Sequence, residues 1–128
     1  MRIAVAVDKS FSLVAGHAGQ AKRWLVFEAA AGERPREIDR IELERLQVFH
    51  HFQDDVPHPL DGVAVVIAAS AGEGFGRRMT KRGVESVLTA ESDPLKAVTD
   101  HLERTLAPPR PRPISGLLCK AFDLFSKH

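Results

Sequence analysis

At 128 residues, 44% of them hydrophobic, the chain is long enough to fill one continuous core and short for two. Its 18 Lys and Arg nearly cancel 17 Asp and Glu, which excludes a global field that gathers nucleic acid or anionic membrane and leaves any attraction for anions local. The single cysteine, Cys119, excludes an internal disulfide framework and a CxxC-type zinc or iron–sulfur site within one chain.

The chain opens directly on an apolar run with no signal-peptide pattern, and no stretch is long and apolar enough to span a bilayer. A cytoplasmic location without membrane contact is the expectation. Ile3 to Val7 is apolar at every position, as in a central strand covered on both faces. Asp8-Lys9-Ser10 ends it. A loop of small residues follows, Ala15-Gly16-His17-Ala18-Gly19-Gln20, and then Arg23 to Glu28 is rich in β-formers. Gly32 marks a turn. Residues 36–43 are predicted as a third strand, antiparallel to the second and near an edge, because charges fall on both of its faces. Residues 44–52 have the length of a short helix with irregular apolar spacing.

Pro57 and Pro59 make residues 54–62 a connection. Val63 to Ala69 is the most continuous apolar run, the pattern of a buried parallel strand. A glycine turn over residues 71–76 then leads to a short basic helix through Arg77 to Arg82, with Gly83 at its C′ position. Val84 to Thr89 is a last strand. Asp93 and Pro94 form an N-cap and N1 pair, and Leu95, Val98, Leu102 and Leu106 repeat at helical spacing after them. The proline-rich stretch 107–113 is predicted as an extended spacer that closes a domain over residues 1–106. Beyond it Ile114, Leu117, Leu118, Ala121, Phe122 and Phe125 share one helical stripe. That segment, 114–128, reads as an amphipathic helix whose face, 114–125, docks on its own domain, on a second copy or on a protein partner.

This order of elements predicts an α/β fold: a mixed, five-stranded sheet flanked by helices in three layers, beginning as a meander and ending in a right-handed βαβ unit. If the first and third strands run parallel to the 63–69 strand, all three finish at one sheet edge, where His17, the glycine turn and the start of 44–52 meet. His58, which precedes the buried strand, belongs at the opposite end.

Three chemistries are open at that edge. Gly72, Gly74 and Gly76 stand between strand and helix, where backbone N–H groups surround an anion, and Arg77 and Arg78 add charge. Gly72-Glu73-Gly74-Phe75-Gly76-Arg77 is a poor dinucleotide fingerprint, since its third glycine comes one residue early. His17 is a candidate metal ligand, bracketed by Gly16 and Gly19, which let a bulky ligand approach the backbone. His50 and His51 are adjacent, so at most one faces a given ligand, and either is more readily solvated. A magnesium-dependent hydrolase would draw on Asp8 and Glu73, but the 63–69 strand ends without a carboxylate.

Residues 2–106 resemble, in the order of their motifs, the dinitrogenase iron–molybdenum cofactor biosynthesis family, the NifX-like cofactor carriers. Ile3-Ala4-Val5-Ala6-Val7-Asp8 looks like its opening strand, and Gly16-His17-Ala18-Gly19-Gln20-Ala21 like its histidine–glycine loop. Ile67-Ala68-Ala69-Ser70-Ala71-Gly72-Glu73-Gly74 is similar to its strand and glycine turn, and Gly83-Val84 with Thr89 to its last strand. The resemblance implies a ribonuclease H-like fold and non-catalytic binding of an iron–molybdenum cofactor or its iron–sulfur precursor. His17 inherits the metal-ligand role, and Gly16, Gly19, Gly72, Gly74 and Arg77 complete the expected cofactor site. Ala18 stands where the family commonly has an aromatic residue. The cysteine ligands of some relatives are absent from the core.

Overall fold

The structure, a computed structural model, describes residues 1–30, 32–53 and 56–109. The expected helix 114–128, with Cys119 and the docking stripe, lies outside the described residues, as does most of the spacer before it. The strands are β1 (Arg2–Ala6), β2 (Arg23–Glu28), β3 (Arg36–Glu42), β4 (Val65–Ala68) and β5 (Glu85–Leu88), with helices α1 (Glu73–Lys81) and α2 (Pro94–Leu102).

They form one five-stranded sheet in the order β3-β2-β1-β4-β5. β2 pairs antiparallel with β1 and β3, whereas β4 runs parallel to β1 and β5. β1, β3 and β4 therefore all point toward one edge, the direction on which the pairing of His17 with the glycine turn depends. The strand alternation divides the core in two. Ala4, Ala6, Trp24, Val26, Val66 and Ala68 face α1 and the segment after β3. Ile3, Val5, Leu25, Phe27, Val65 and Ile67 face Ala97 and Val98 of α2. β1 is central and lined on both faces, so its apolar continuity is fully accounted for. β3 is an edge strand, nearly all exposed, and its charges protect that edge from further pairing.

Three local outcomes differ from the sequence expectation. First, α1 starts at Glu73, not after Gly76, so Gly74 and Gly76 lie inside the helix. Two helical glycines cost roughly 1 kcal/mol each. The buried Phe75 and Met79 offset this by anchoring α1 on the sheet, and an ideal Cβ on Gly76 would lie 3.5 Å from Ser86 Oγ of β5. Second, α2 ends at Leu102, four residues before Leu106. Arg104 takes the left-handed conformation (φ 61°), and the N–H groups of Arg104 and Thr105 donate to the carbonyls of His101 and Asp100. This is the same Schellman closure that Gly83 gives α1, built on a residue with a Cβ. Leu106 joins the α2-side core from extended chain instead.

Third, residues 44–52 form two 3₁₀ turns, Arg45–Gln47 and Phe49–His51, in place of one helix. Glu44 and Gln47 make a reciprocal capping box around the first turn. From here the chain packs along α1 by aromatic contacts. Phe49 meets Trp24 and Phe75 edge-on, at centroid distances of 6.2 and 5.6 Å. Arg78 donates to the carbonyls of Phe49 and Phe52, and Arg82 reaches Asp61 at 2.9 Å.

Candidate functional site

The edge where β1, β3 and β4 end holds the histidine loop. Backbone pairing fixes it there: His17 forms an isolated parallel bridge with Ser70, just past β4, and the Ala18 N–H donates to the Ser70 carbonyl at 2.7 Å. Gly16 reaches this path through a left-handed conformation (φ 92°) that other residues adopt at a cost. Gly19 has an ordinary φ and open space around it, so nothing in the backbone requires glycine there.

His17 is half-buried, and its Nδ1 lies 3.0 Å from Ser70 Oγ. With Nδ1–H donating to the hydroxyl, Nε2 keeps its lone pair, the arrangement that orients metal-binding imidazoles. Nε2 in turn lies 3.5 Å from the position a Cβ on Gly72 would take. Gly72 therefore keeps one side of the nitrogen clear. It is also the N-cap of α1 and supplies no side-chain cap. The N–H groups of the helix's first turn, at Glu73 and Gly74, lie outside the helical ladder and directly follow the glycine that borders the imidazole. Arg77 is exposed, with Nη2 3.9 Å from an ideal Cβ on Gly74. Its guanidinium thus lies back over that first turn. The glycine turn and His17, paired by strand direction alone in the sequence, do meet.

Other expected participants are occupied elsewhere. Arg78 is spent on the carbonyls of Phe49 and Phe52, which corrects its expected place beside Arg77 at the anion. Asp8 accepts from the Ser12 and Leu13 N–H groups and from the Ser10 hydroxyl. The Ser12 N–H chiefly holds its carboxyl below the usual carboxylate range. That carboxylate builds its own loop, and no group of three His, Cys, Asp or Glu able to hold a metal ion occurs among the described residues. His50 and His51 are both exposed, with ring centroids 4.9 Å apart.

His58 is a core histidine, 5% exposed. It stacks on Phe49 at 4.3 Å and meets Phe52 edge-on at 4.6 Å. Nε2 lies 2.7 Å from the Gln47 carbonyl, and Nδ1 accepts from the Leu60 N–H at 3.0 Å. Those two partners select the neutral Nε2–H tautomer, and burial pushes the His58 pKa down. The sequence reading missed Ser70 as the partner of His17. A hydroxyl immediately after a buried strand was the available signal.

The fold is thus a three-layered α/β domain with a histidine and a helix N-terminus joined at one sheet edge. The chain belongs to the dinitrogenase iron–molybdenum cofactor family, whose model matches residues 1–105. It is similar in fold to the crystal structure of PH0822, with a TM-score of 0.66 at 13% identity, covering 84% of this chain and 96% of that one. It is also similar to the NMR structure of a candidate NifB protein from Thermotoga, placed in the DUF35 family. That match has a TM-score of 0.55 at 17% identity and covers 90% of this chain and 98% of that one. No curated protein sequence matches. No helix among the described residues is long and apolar enough to cross a membrane.

Proposed function

We propose that this protein binds and carries an iron–molybdenum cofactor or its iron–sulfur precursor, as cargo, without transforming it. The carrying observation is the pose of His17: Nδ1 tied to Ser70, Nε2 free beside Gly72. In this reading Nε2 ligates a metal of the cargo. The N–H groups at the start of α1 and the Arg77 guanidinium take its anionic periphery. Glu73 is exposed in the same turn, so the attracting charge comes from Arg77. Membership of the family supports this cargo over other anionic ligands, and the strand order supports reading the fold as ribonuclease H-like. The hydrolase alternative lacks support because Asp8 is held in its own loop.

The test is anaerobic loading with an iron–sulfur or iron–molybdenum cluster, followed by gel filtration, metal analysis and a visible spectrum. His17→Ala is expected to retain cluster at least about tenfold less well, the size associated with loss of a ligand or its orienting partner. Equal retention by the variant overturns the assignment.

A further inference from the structure

A second cluster of polar side chains stands beside the histidine loop and is not used in that reading. Gln20, Lys22, Arg45, Val48, His50 and His51 line a surface depression of about 360 Å³. Backbone hydrogen bonds hold its walls: the Gln20 N–H donates to the His17 carbonyl at 2.8 Å, and the Leu43 N–H to the Lys22 carbonyl at 2.7 Å. The 3₁₀ turns Arg45–Gln47 and Phe49–His51 supply the opposite wall. Val48 is buried, whereas the five polar residues are exposed.

The lining contains two permanent cations, two imidazoles and an amide, and no carboxylate. Nearby carboxylates are committed elsewhere. Glu44 accepts from the Gln47 N–H in the capping box, and Glu42 pairs with Arg23 at 3.5 Å. Lys22 and Arg45 form no ion pair among the described residues. In a protein of net charge +1 this is a local concentration of unpaired positive charge. An arginine fork, an ammonium and imidazole N–H groups around one depression match the oxygens of carboxylates and phosphates.

We propose that this depression is an anion subsite for a small molecule bearing two or more carboxylate or phosphate groups. The ligand is small because the positive charge does not continue. On neighbouring β3, Arg36 and Arg40 are matched in number by Glu37 and Asp39, and Arg40 is paired with Glu37 at 2.7 Å. A nucleic acid needs a longer basic track. The subsite does not require His17 to hold metal, so the two assignments stand or fall separately.

The test is a titration of the whole, cluster-free protein with citrate and, separately, pyrophosphate, followed by NMR of the histidine side chains. Potassium chloride of matched ionic strength is the control. Saturable shifts at His50 and His51, with His58 unmoved, are expected for at least one of the two anions. The tighter anion identifies carboxylate or phosphate as the preferred group. The double variant Lys22→Gln/Arg45→Gln is expected to weaken binding about tenfold, as loss of two exposed charged contacts predicts. His17→Ala is expected to leave it within about twofold. Shifts that fail to saturate, that chloride reproduces, or that survive the double substitution overturn the subsite.

Discussion

His17 and His58 are the same residue in the same fold, and their surroundings set them apart. His58 has a partner on each ring nitrogen, an aromatic ring against its face and almost no exposure. His17 has one nitrogen fixed by a hydroxyl and the other held open beside a glycine. The first imidazole is a packing and hydrogen-bonding element of the core, whereas the second is oriented by a single contact and borders a glycine. Burial separates them only by degree, from buried to half-buried. The count of satisfied nitrogens separates them in kind.

The largest expected effect comes from the satisfied member of the pair. His58→Ala removes a stacked ring and leaves the Gln47 carbonyl and Leu60 N–H without partners, at a cost of about 3 kcal/mol. A urea melt measures it, and a change below about 1 kcal/mol would remove His58 from the core. His17→Ala, by contrast, is expected to shift the same melt by no more than about 0.5 kcal/mol.

Next in size is pH. Burial lowers the His58 pKa in the folded state from 6.5, so the unfolded chain binds more protons once the medium is acidified to that point. Its contribution is complete above the unfolded value and is lost as pH falls below it. The structural reason is specific: a proton on Nδ1 sets two donors against each other at the Leu60 N–H. Urea midpoints are therefore expected to drop between about pH 7 and pH 5. His58→Phe should flatten that part of the profile, and an unchanged slope in this variant would assign the drop elsewhere.

A small effect on stability, and the sharpest on the open histidine, is expected from Gly72→Ala. Its φ of −78° suits alanine, so the cost to the fold is only that of an alanine in place of glycine at the N-cap, about 1 kcal/mol. The new methyl stands 3.5 Å from Nε2, and cluster retention should fall toward that of His17→Ala. Full retention would mean that cargo approaches from another side.

Much of this arrangement is legible in the sequence because it rests on strong local patterns. The apolar runs of β1 and β4 place both strands centrally, and Asp93-Pro94 marks the start of α2, with Asp93 accepting from Leu95 and Lys96 as expected. Strand direction then puts His17 and Gly72 at one edge. What escaped has physical causes. Glycine weakens a helix, so Gly74 and Gly76 carry the pattern of a turn; burial of Phe75 and Met79 outweighs that preference. Arg104 gives no stop signal, because its left-handed backbone comes from the closure of α2 and not from its own residue type. The Lys22–Arg45 depression is invisible in one dimension, since its walls come from loops on either side of the β2–β3 hairpin.

The contact between His17 and Ser70 spans 53 positions of the chain. Each contributes half of the donor arrangement, and neither half exists until β1 and β4 lie side by side. On the proposed assignment, a nascent or partly unfolded chain therefore has no site to load. Any ligand held there is bound only by the completed sheet and adds its binding energy to that state, about 2.7 kcal/mol at a concentration 100 times Kd. On that assignment loading doubles as a quality check: proteolysis of the loaded protein should slow in proportion, while chains that have not closed the sheet stay empty and remain open to cleavage.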